Sequence, residues 1–108
     1  MQLYHTLDMQ DKRQDGEIKI NKEVDRVYQD VTSEIKIKDT NNSISIKNKG
    51  SRSAVVWNPW TQKCSRMSAM KKDSYKTFVC VETANAFDDE IQIKPNQSHT
   101  LQTTISFV

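Results

Sequence analysis

The feature that most limits the fold of this chain is a period of two in its apolar residues. Isoleucine alternates with polar residues through residues 34–38 and again through residues 43–47, which is the pattern of a strand with one covered face. The run Asp-Thr-Asn-Asn between them favours a turn, because these side chains hydrogen-bond to nearby backbone groups. The pattern predicts a β-hairpin and, with other runs of the same kind, an all-β antiparallel β-sandwich.

Shorter runs predict the other elements. Alternation predicts further strands at residues 16–20, 75–83, 91–93 and 100–108. The last of them is expected to direct Leu101, Ile105 and Phe107 inward. A short helical turn is expected after Trp60, where Cys and Met recur at helical spacing. Only 35% of the residues are hydrophobic and 28% are charged, so we expect one domain with a thin core.

A carboxylate in an unusual position is the strongest candidate for function. The run VVW at residues 55–57 is typical of a packed strand, and Pro59 ends it because proline cannot donate a ladder hydrogen bond. Further along, Glu82 alternates in register with Phe78 and Cys80. Glutamate is rarely buried without a partner, and partial burial would raise its pKa. This pattern indicates a functional role for Glu82.

Several motifs together resemble one protein family. VVWNPW at residues 55–60 and FVCVE at residues 78–82 are similar to blocks of the glucose-6-phosphate 1-epimerases, or hexose-6-phosphate mutarotases, of the galactose-mutarotase-like superfamily. EVDRVY at residues 23–28 and KGS at residues 49–51 fit the same family in the same order. The resemblance implies that residues 16–108 are the C-terminal part of a galactose-mutarotase-type β-sandwich. Residues 1–15 would then be a poorly defined N-terminal segment.

The resemblance also implies a reaction and its residues. It implies interconversion of the α and β anomers of glucose 6-phosphate by ring opening, which needs a base and an acid but no cofactor and no metal. Glu82 is expected to be the general base, and Asp25 is expected to bind the sugar hydroxyls. Trp57 and Asn58 are further candidates for sugar contacts, and Arg26 is a candidate for bracing the charges of the pocket.

The general acid of the family is a histidine, and the chain offers none in the corresponding position. His5 is expected to lie in an exposed, poorly ordered N-terminus, and His99 is expected at the rim of the final strand. The chain alone is therefore expected to be incomplete or inactive as a mutarotase. The alternative is a non-catalytic carbohydrate-binding β-sandwich module.

The charge and the cysteine content limit which classes of binding partner and which cellular location are expected. Sixteen basic and fourteen acidic residues are well mixed, with a net charge of +2, so neither nucleic acid nor a membrane is expected as a partner. Two isolated cysteines and the lack of a long apolar run favour a cytoplasmic protein. The expected partner is a hexose 6-phosphate or a related sugar. Self-association through exposed strand edges is also expected.

Overall fold

The computed structural model describes residues 2–7 and 9–108. Within them the chain forms eight strands, one α-helix and two single 3₁₀ turns, at Ser74–Lys76 and Phe87–Asp89. In chain order the strands and the α-helix are β1 (Gln2–His5), β2 (Gln10–Arg13), β3 (Val24–Tyr28), β4 (Ile35–Lys38), β5 (Ser43–Lys49), β6 (Ser53–Asn58), α1 (Trp60–Ser65), β7 (Cys80–Ala84) and β8 (Gln102–Phe107).

The strands form two antiparallel sheets. Five strands are ordered β2-β1-β3-β6-β7, and the other three are ordered β4-β5-β8. The predicted all-β antiparallel architecture is therefore confirmed. The predicted hairpin is also confirmed, since β4 pairs with β5 and the Asp39 N–H donates to the Asn42 carbonyl oxygen across the turn.

The core lies on one face of the five-stranded sheet. Its buried members are Leu3, Val24, Tyr28 and Val56. Each apolar side chain buried in this way contributes roughly 1.5–3 kcal/mol. Because one of the four comes from β1, this burial attaches the N-terminal strand to the two central strands, β3 and β6.

The environment of His5 differs from the prediction. β1 pairs with β3, and His5 is only 8% exposed, so the expectation of an exposed, poorly ordered position for this residue is wrong. The sequence pattern missed this because the burial of β1 comes from strands far along the chain. Met1 and Asp8, which belong to the predicted N-terminal segment, lie outside the described residues.

The turn after β6 is organised by Asn58. This side chain is fully buried; its Nδ2 donates to the carbonyl oxygens of Tyr75 (3.0 Å) and Phe78 (2.8 Å), and its Oδ1 accepts from the Trp60 N–H (2.9 Å). α1 follows, as predicted, and buries Cys64 completely. No helical segment of the described residues has the length and hydrophobicity needed to span a bilayer.

Three predicted strands are corrected. Residues 16–20 and 91–93 form no strand, and β7 begins only at Cys80 because Tyr75 lies in a 3₁₀ turn. Alternation shows which face of a segment is apolar, but it does not show whether another strand lies alongside to complete a ladder. Neither of the two absent strands takes part in a pairing among the described residues.

Gly50 connects β5 to β6 in a conformation that requires glycine. Its φ is +78°, and a Cβ atom there would lie 2.1 Å from the Thr100 carbonyl oxygen. The Gly50 carbonyl oxygen accepts from Asn85 Nδ2 (2.9 Å) and lies 2.7 Å from His99 Nε2. This glycine therefore ties together three segments that are distant in sequence.

The three-stranded sheet has an apolar face that is partly uncovered. Its register aligns Ile35, Ile46 and Ile105 in one row and Ile37, Ile44 and Phe107 in the next. Ile105 is 65% exposed and Phe107 82% exposed, so the prediction that the apolar side chains of the last strand point inward is wrong. All six residues of β8 are exposed, so no other described element covers either of its faces, and β8 is also an edge strand of its sheet.

Candidate functional site

The five-stranded sheet brings three predicted site residues to one face. Antiparallel pairing aligns Asp25, Trp57 and Cys80 across β3, β6 and β7, and the next row of the same face ends in Glu82, opposite Val55. Side chains on paired positions, and two residues apart along a strand, lie on the same side of a sheet. We call the surface bearing Asp25, Trp57 and Glu82 the carboxylate face.

The two carboxylates lie on strands that are not direct neighbours. β3 and β7 are both neighbours of β6, so they are separated by two strand spacings, roughly 10 Å. Glu82 is also two residues, about 7 Å, further along its strand than the residue opposite Trp57. A ligand that contacts both carboxylates would therefore have to span roughly 12 Å between the two backbone positions.

Neither carboxylate is engaged by the protein. Within the described residues the side chains of Asp25 and Glu82 form no hydrogen bond and no ion pair. The backbone of Asp25 is held firmly, because its carbonyl oxygen accepts from both the N–H (3.0 Å) and the hydroxyl (2.8 Å) of Thr6. Asp25 therefore has a fixed main chain and a carboxylate that is available to a ligand.

Glu82 is exposed, and Cys80 beside it is partly buried. The expectation that Phe78 and Cys80 remove Glu82 from water is therefore wrong, because β7 is an edge strand. Burial raises the pKa of the Cys80 thiol, and the nearby Glu82 carboxylate raises it further. The thiol is therefore protonated at neutral pH, and its titration reports on the charge of Glu82.

Trp57 has the position of a wall between the carboxylates. Its ring packs against Phe78, with centroids 5.8 Å apart, and Lys63 Nζ lies 5.9 Å from its centroid. Lys63 is held in turn by Glu23, at 3.7 Å. These contacts fix the indole while leaving part of it uncovered, as an apolar surface for the face of a sugar ring requires.

The other predicted site residues lie on the opposite face of the sheet. Arg26 and Asn58 follow Asp25 and Trp57 directly along their strands, so their side chains point to the other side. His5 is paired with Arg26 and shares that side. Both N–H groups of the Asn58 amide are used by backbone carbonyls, so Asn58 serves the turn, and none of these three residues meets the carboxylate face.

Two clefts flank the β1–β2 hairpin, and sequence reasoning did not find them. One, of about 490 Å³, lies on the side of His5 and Arg26; the other, of about 710 Å³, lies on the side of Tyr4 and Phe87. Neither is lined by Asp25, Trp57 or Glu82. The available signal was the charge run of residues 8–15, which resembles an ordinary solvated segment. Within residues 2–7 and 9–108, no three His, Cys, Asp or Glu side chains are grouped closely enough to hold a metal ion.

Comparison with known proteins gives a consistent result. The family model described as aldose 1-epimerase matches residues 4–106. A protein from Cenchrus ciliaris, provisionally named glucose-6-phosphate 1-epimerase, is 38% identical over 77 residues, which are 69% of this chain and 23% of that protein. A protein of the same provisional name from Escherichia coli (strain K12) is 38% identical over 81 residues, 72% of this chain and 27% of that protein. The chain thus spans about a quarter of the length of these relatives. No solved structure gives a significant match.

Proposed function

This chain belongs to the aldose 1-epimerase family, and we propose that its carboxylate face is the base-bearing part of a hexose-6-phosphate mutarotase site. Glu82 would take the proton of the C1 hydroxyl, Asp25 would accept hydrogen bonds from other sugar hydroxyls, and Trp57 would support the ring. The observation that carries the proposal is the pair of carboxylates, without protein partners among the described residues, on one face of the sheet. Arg26 and Asn58 are assigned no contact with the sugar.

Mutarotation also requires a proton donor for the ring oxygen. Base and acid must act on opposite sides of one hemiacetal and then exchange roles. His5 lies on the other face of the sheet from Glu82, and His99 lies beside Gly50. We therefore propose that these 108 residues bind the sugar but do not catalyse anomerisation by themselves. The free thiols of Cys64 and Cys80 support a cytoplasmic location.

The binding part of the proposal is tested by NMR titration with glucose 6-phosphate. We expect saturable shifts of the backbone amides of Asp25, Trp57 and Glu82. Asp25→Asn should weaken binding by at least ~10-fold, because a hydrogen bond to a charged group contributes about 1.5–3 kcal/mol and each 1.4 kcal/mol is tenfold. It should leave Tm unchanged, since the Asp25 carboxylate supports no contact in the fold. Asp73→Asn is the matched control, because Asp73 is exposed and its side chain is likewise unbonded.

The catalytic part is tested by NMR exchange spectroscopy between the two anomers. The isolated chain should leave the exchange rate equal to that of buffer. Clear acceleration would refute the assignment of an incomplete site. Absence of any sugar-dependent shift on the carboxylate face would refute the function itself.

A binding module without catalysis is the second candidate, and the exposure of Glu82 favours it, because a general base is usually partly desolvated. A chimera distinguishes the mutarotase function from the binding module. In it, this chain replaces the matching segment of the Escherichia coli relative. If Glu82 is the base, Glu82→Gln should lower turnover at least ~10²-fold, while Glu90→Gln, at another exposed glutamate, should not. A chimera that binds sugar and never accelerates exchange would identify a binding module.

A further inference from the structure

The cleft on the side of the sheet opposite the carboxylate face has a strongly basic lining. Its volume is about 490 Å³, and its charged or titratable lining residues are His5, Lys12, Arg13, Lys22, Glu23 and Arg26. We call this the basic cleft. Four of these side chains are cationic and one is anionic. The proposed sugar site assigns none of them a contact with the sugar.

The Glu23 carboxylate, the acidic group among the described lining residues, already has a partner. The Glu23 carboxylate lies 3.7 Å from Lys63 Nζ, and Lys63 is not part of the lining. Arg13 forms only a long contact of 3.9 Å with Asp15, and both side chains are largely exposed. Exposed pairs of this kind are weak in water. Among the described residues, Lys22 and Arg26 therefore have no carboxylate partner, and Arg13 has only a weak one.

Arg26 is the most informative residue of the basic cleft. Arg26 as a whole is half-buried, and its Nη1 donates to Gln14 Oε1 (3.0 Å) and to the Tyr28 hydroxyl (3.1 Å). Both acceptors are neutral, and no described carboxylate lies within 4.0 Å of Arg26. Withdrawing a charged group from water costs free energy unless the group is paired and hydrogen-bonded. Here two neutral oxygens fix the guanidinium plane, and the remaining N–H groups have no partner among the described residues.

We propose that the basic cleft is a binding site for a phosphate group, with Arg26 as its central ligand. The planar guanidinium matches two phosphate oxygens through parallel hydrogen bonds. Lys22, at the rim, adds a cation that can turn toward the ligand. The phosphate belongs either to the free ion or to a small phosphate monoester that occupies the rest of the cleft.

This site is separate from the proposed sugar site. Asp25 and Arg26 are adjacent in β3, so their side chains leave opposite faces of one sheet. A hexose phosphate held by Asp25 therefore cannot reach Arg26 with its own phosphate. The inference goes beyond the proposed function, and it stands whether or not the chain binds a sugar.

The test is an NMR titration of the whole chain with inorganic phosphate, and separately with glycerol 3-phosphate, at constant ionic strength. We expect saturable shifts at the Arg26 side-chain Nε–H and in the amides of β1 and β3. Arg26→Gln should lower the affinity at least ~10-fold, because a bidentate charged pair is lost. Arg66→Gln removes the same charge from the exposed end of α1 and should change nothing. The ligand that binds more tightly identifies the source of the phosphate.

Two more variants test the phosphate site without changing the hydrogen bond between Arg26 and Tyr28. Lys22→Gln alters an exposed side chain with no partner among the described residues, so it should weaken phosphate binding several-fold at unchanged Tm. Asp25→Asn should leave phosphate binding intact, which separates this site from the sugar site. Equal phosphate affinity in the Arg26, Lys22 and Arg66 variants, or a response that does not saturate, would overturn the proposal.

Discussion

Asp25 and Arg26 are neighbours in sequence, carry opposite charges and direct their side chains to different sides of one sheet. The alternation of a strand makes this separation unavoidable. The sequence motif alone suggests one charged pair. In the fold, however, the carboxylate has a tryptophan neighbour and the guanidinium has a tyrosine neighbour. Assigning a role to either residue therefore requires its strand register as well as its type.

At the residue scale, the titration of Cys80 tests the arrangement of β7. Because the Glu82 carboxylate helps to raise the pKa of the Cys80 thiol, Glu82→Gln should lower that pKa. The thiol would then react faster with iodoacetamide near neutral pH. The pH dependence of alkylation, followed by mass spectrometry of the Cys80 peptide, measures this shift. Cys64, which is fully buried, is the internal control and should react slowly in both proteins. An unchanged Cys80 profile would mean that Glu82 points away.

Some residue environments follow from the sequence and others do not. The family motifs identify Glu82 and Asp25, and alternation along each strand shows which residues share a face with them. Their common environment could therefore be predicted in part. The role of Asn58 could not, because its amide is bound by carbonyls 17 and 20 residues further along the chain. Such long-range hydrogen bonds leave no trace in local composition.

At the element scale, local patterns succeed where the local sequence also supplies the partner. The β4–β5 hairpin is of this kind, since both strands and their turn are contiguous. Residues 16–20 and 91–93 have comparable alternation but no strand beside them. A half-covered face is necessary for a strand, and a complementary row of backbone groups is necessary too.

The contact between the start of β6 and the segment that follows β7 gives a prediction at this scale. Asp89 Oδ2 accepts from the Arg52 N–H (2.7 Å) and lies 3.1 Å from both Ser53 Oγ and Asn85 Nδ2. Burial raises the pKa of Asp89, but these hydrogen bonds outweigh it and hold the pKa below its usual value. A lowered pKa stabilises the fold above the ordinary value of about 3.9. That contribution is lost as the pH falls through the lower, folded-state pKa.

Asp89→Asn should therefore reduce the free energy of unfolding by about 1 kcal/mol at pH 7. The difference from the parent protein should shrink as the pH falls below about 3.9. Urea unfolding at a series of pH values measures it. Asp88→Asn, at the exposed neighbouring position, is the control. If the difference in the free energy of unfolding were constant across all pH values, the ionised Asp89 carboxylate would not be what stabilises this contact.

At the scale of the whole molecule, β8 is the most vulnerable surface. The edge strands β2, β4 and β7 each carry at least one charged side chain, whereas the sequence of β8, QTTISF, carries none. Charges on edge strands discourage pairing with other chains. An uncharged edge next to exposed Ile105 and Phe107 is therefore expected to promote self-association.

Ile105→Lys should raise the concentration needed for self-association by roughly 10-fold, since burying an isoleucine is worth about 1.5–3 kcal/mol. Analytical ultracentrifugation over a concentration series measures this change. Ser106→Lys adds the same charge to the opposite face of β8 and should have a smaller effect. Equal effects of the two variants would assign the contact to the strand edge, and a monomer at every concentration would refute the prediction.

The alternating faces of β3 also constrain how its gene can change. Substitution of one codon alters one side chain, but insertion or deletion of a codon just before Asp25 shifts every later position of β3 to the other face. Asp25 would then turn into the core side and Arg26 would project between Trp57 and Glu82. A single such event would remove both proposed ligand sites at once. Sequences that descend from this one are therefore expected to accept amino-acid substitutions in β3 but to keep its length. Their insertions are expected in the loops.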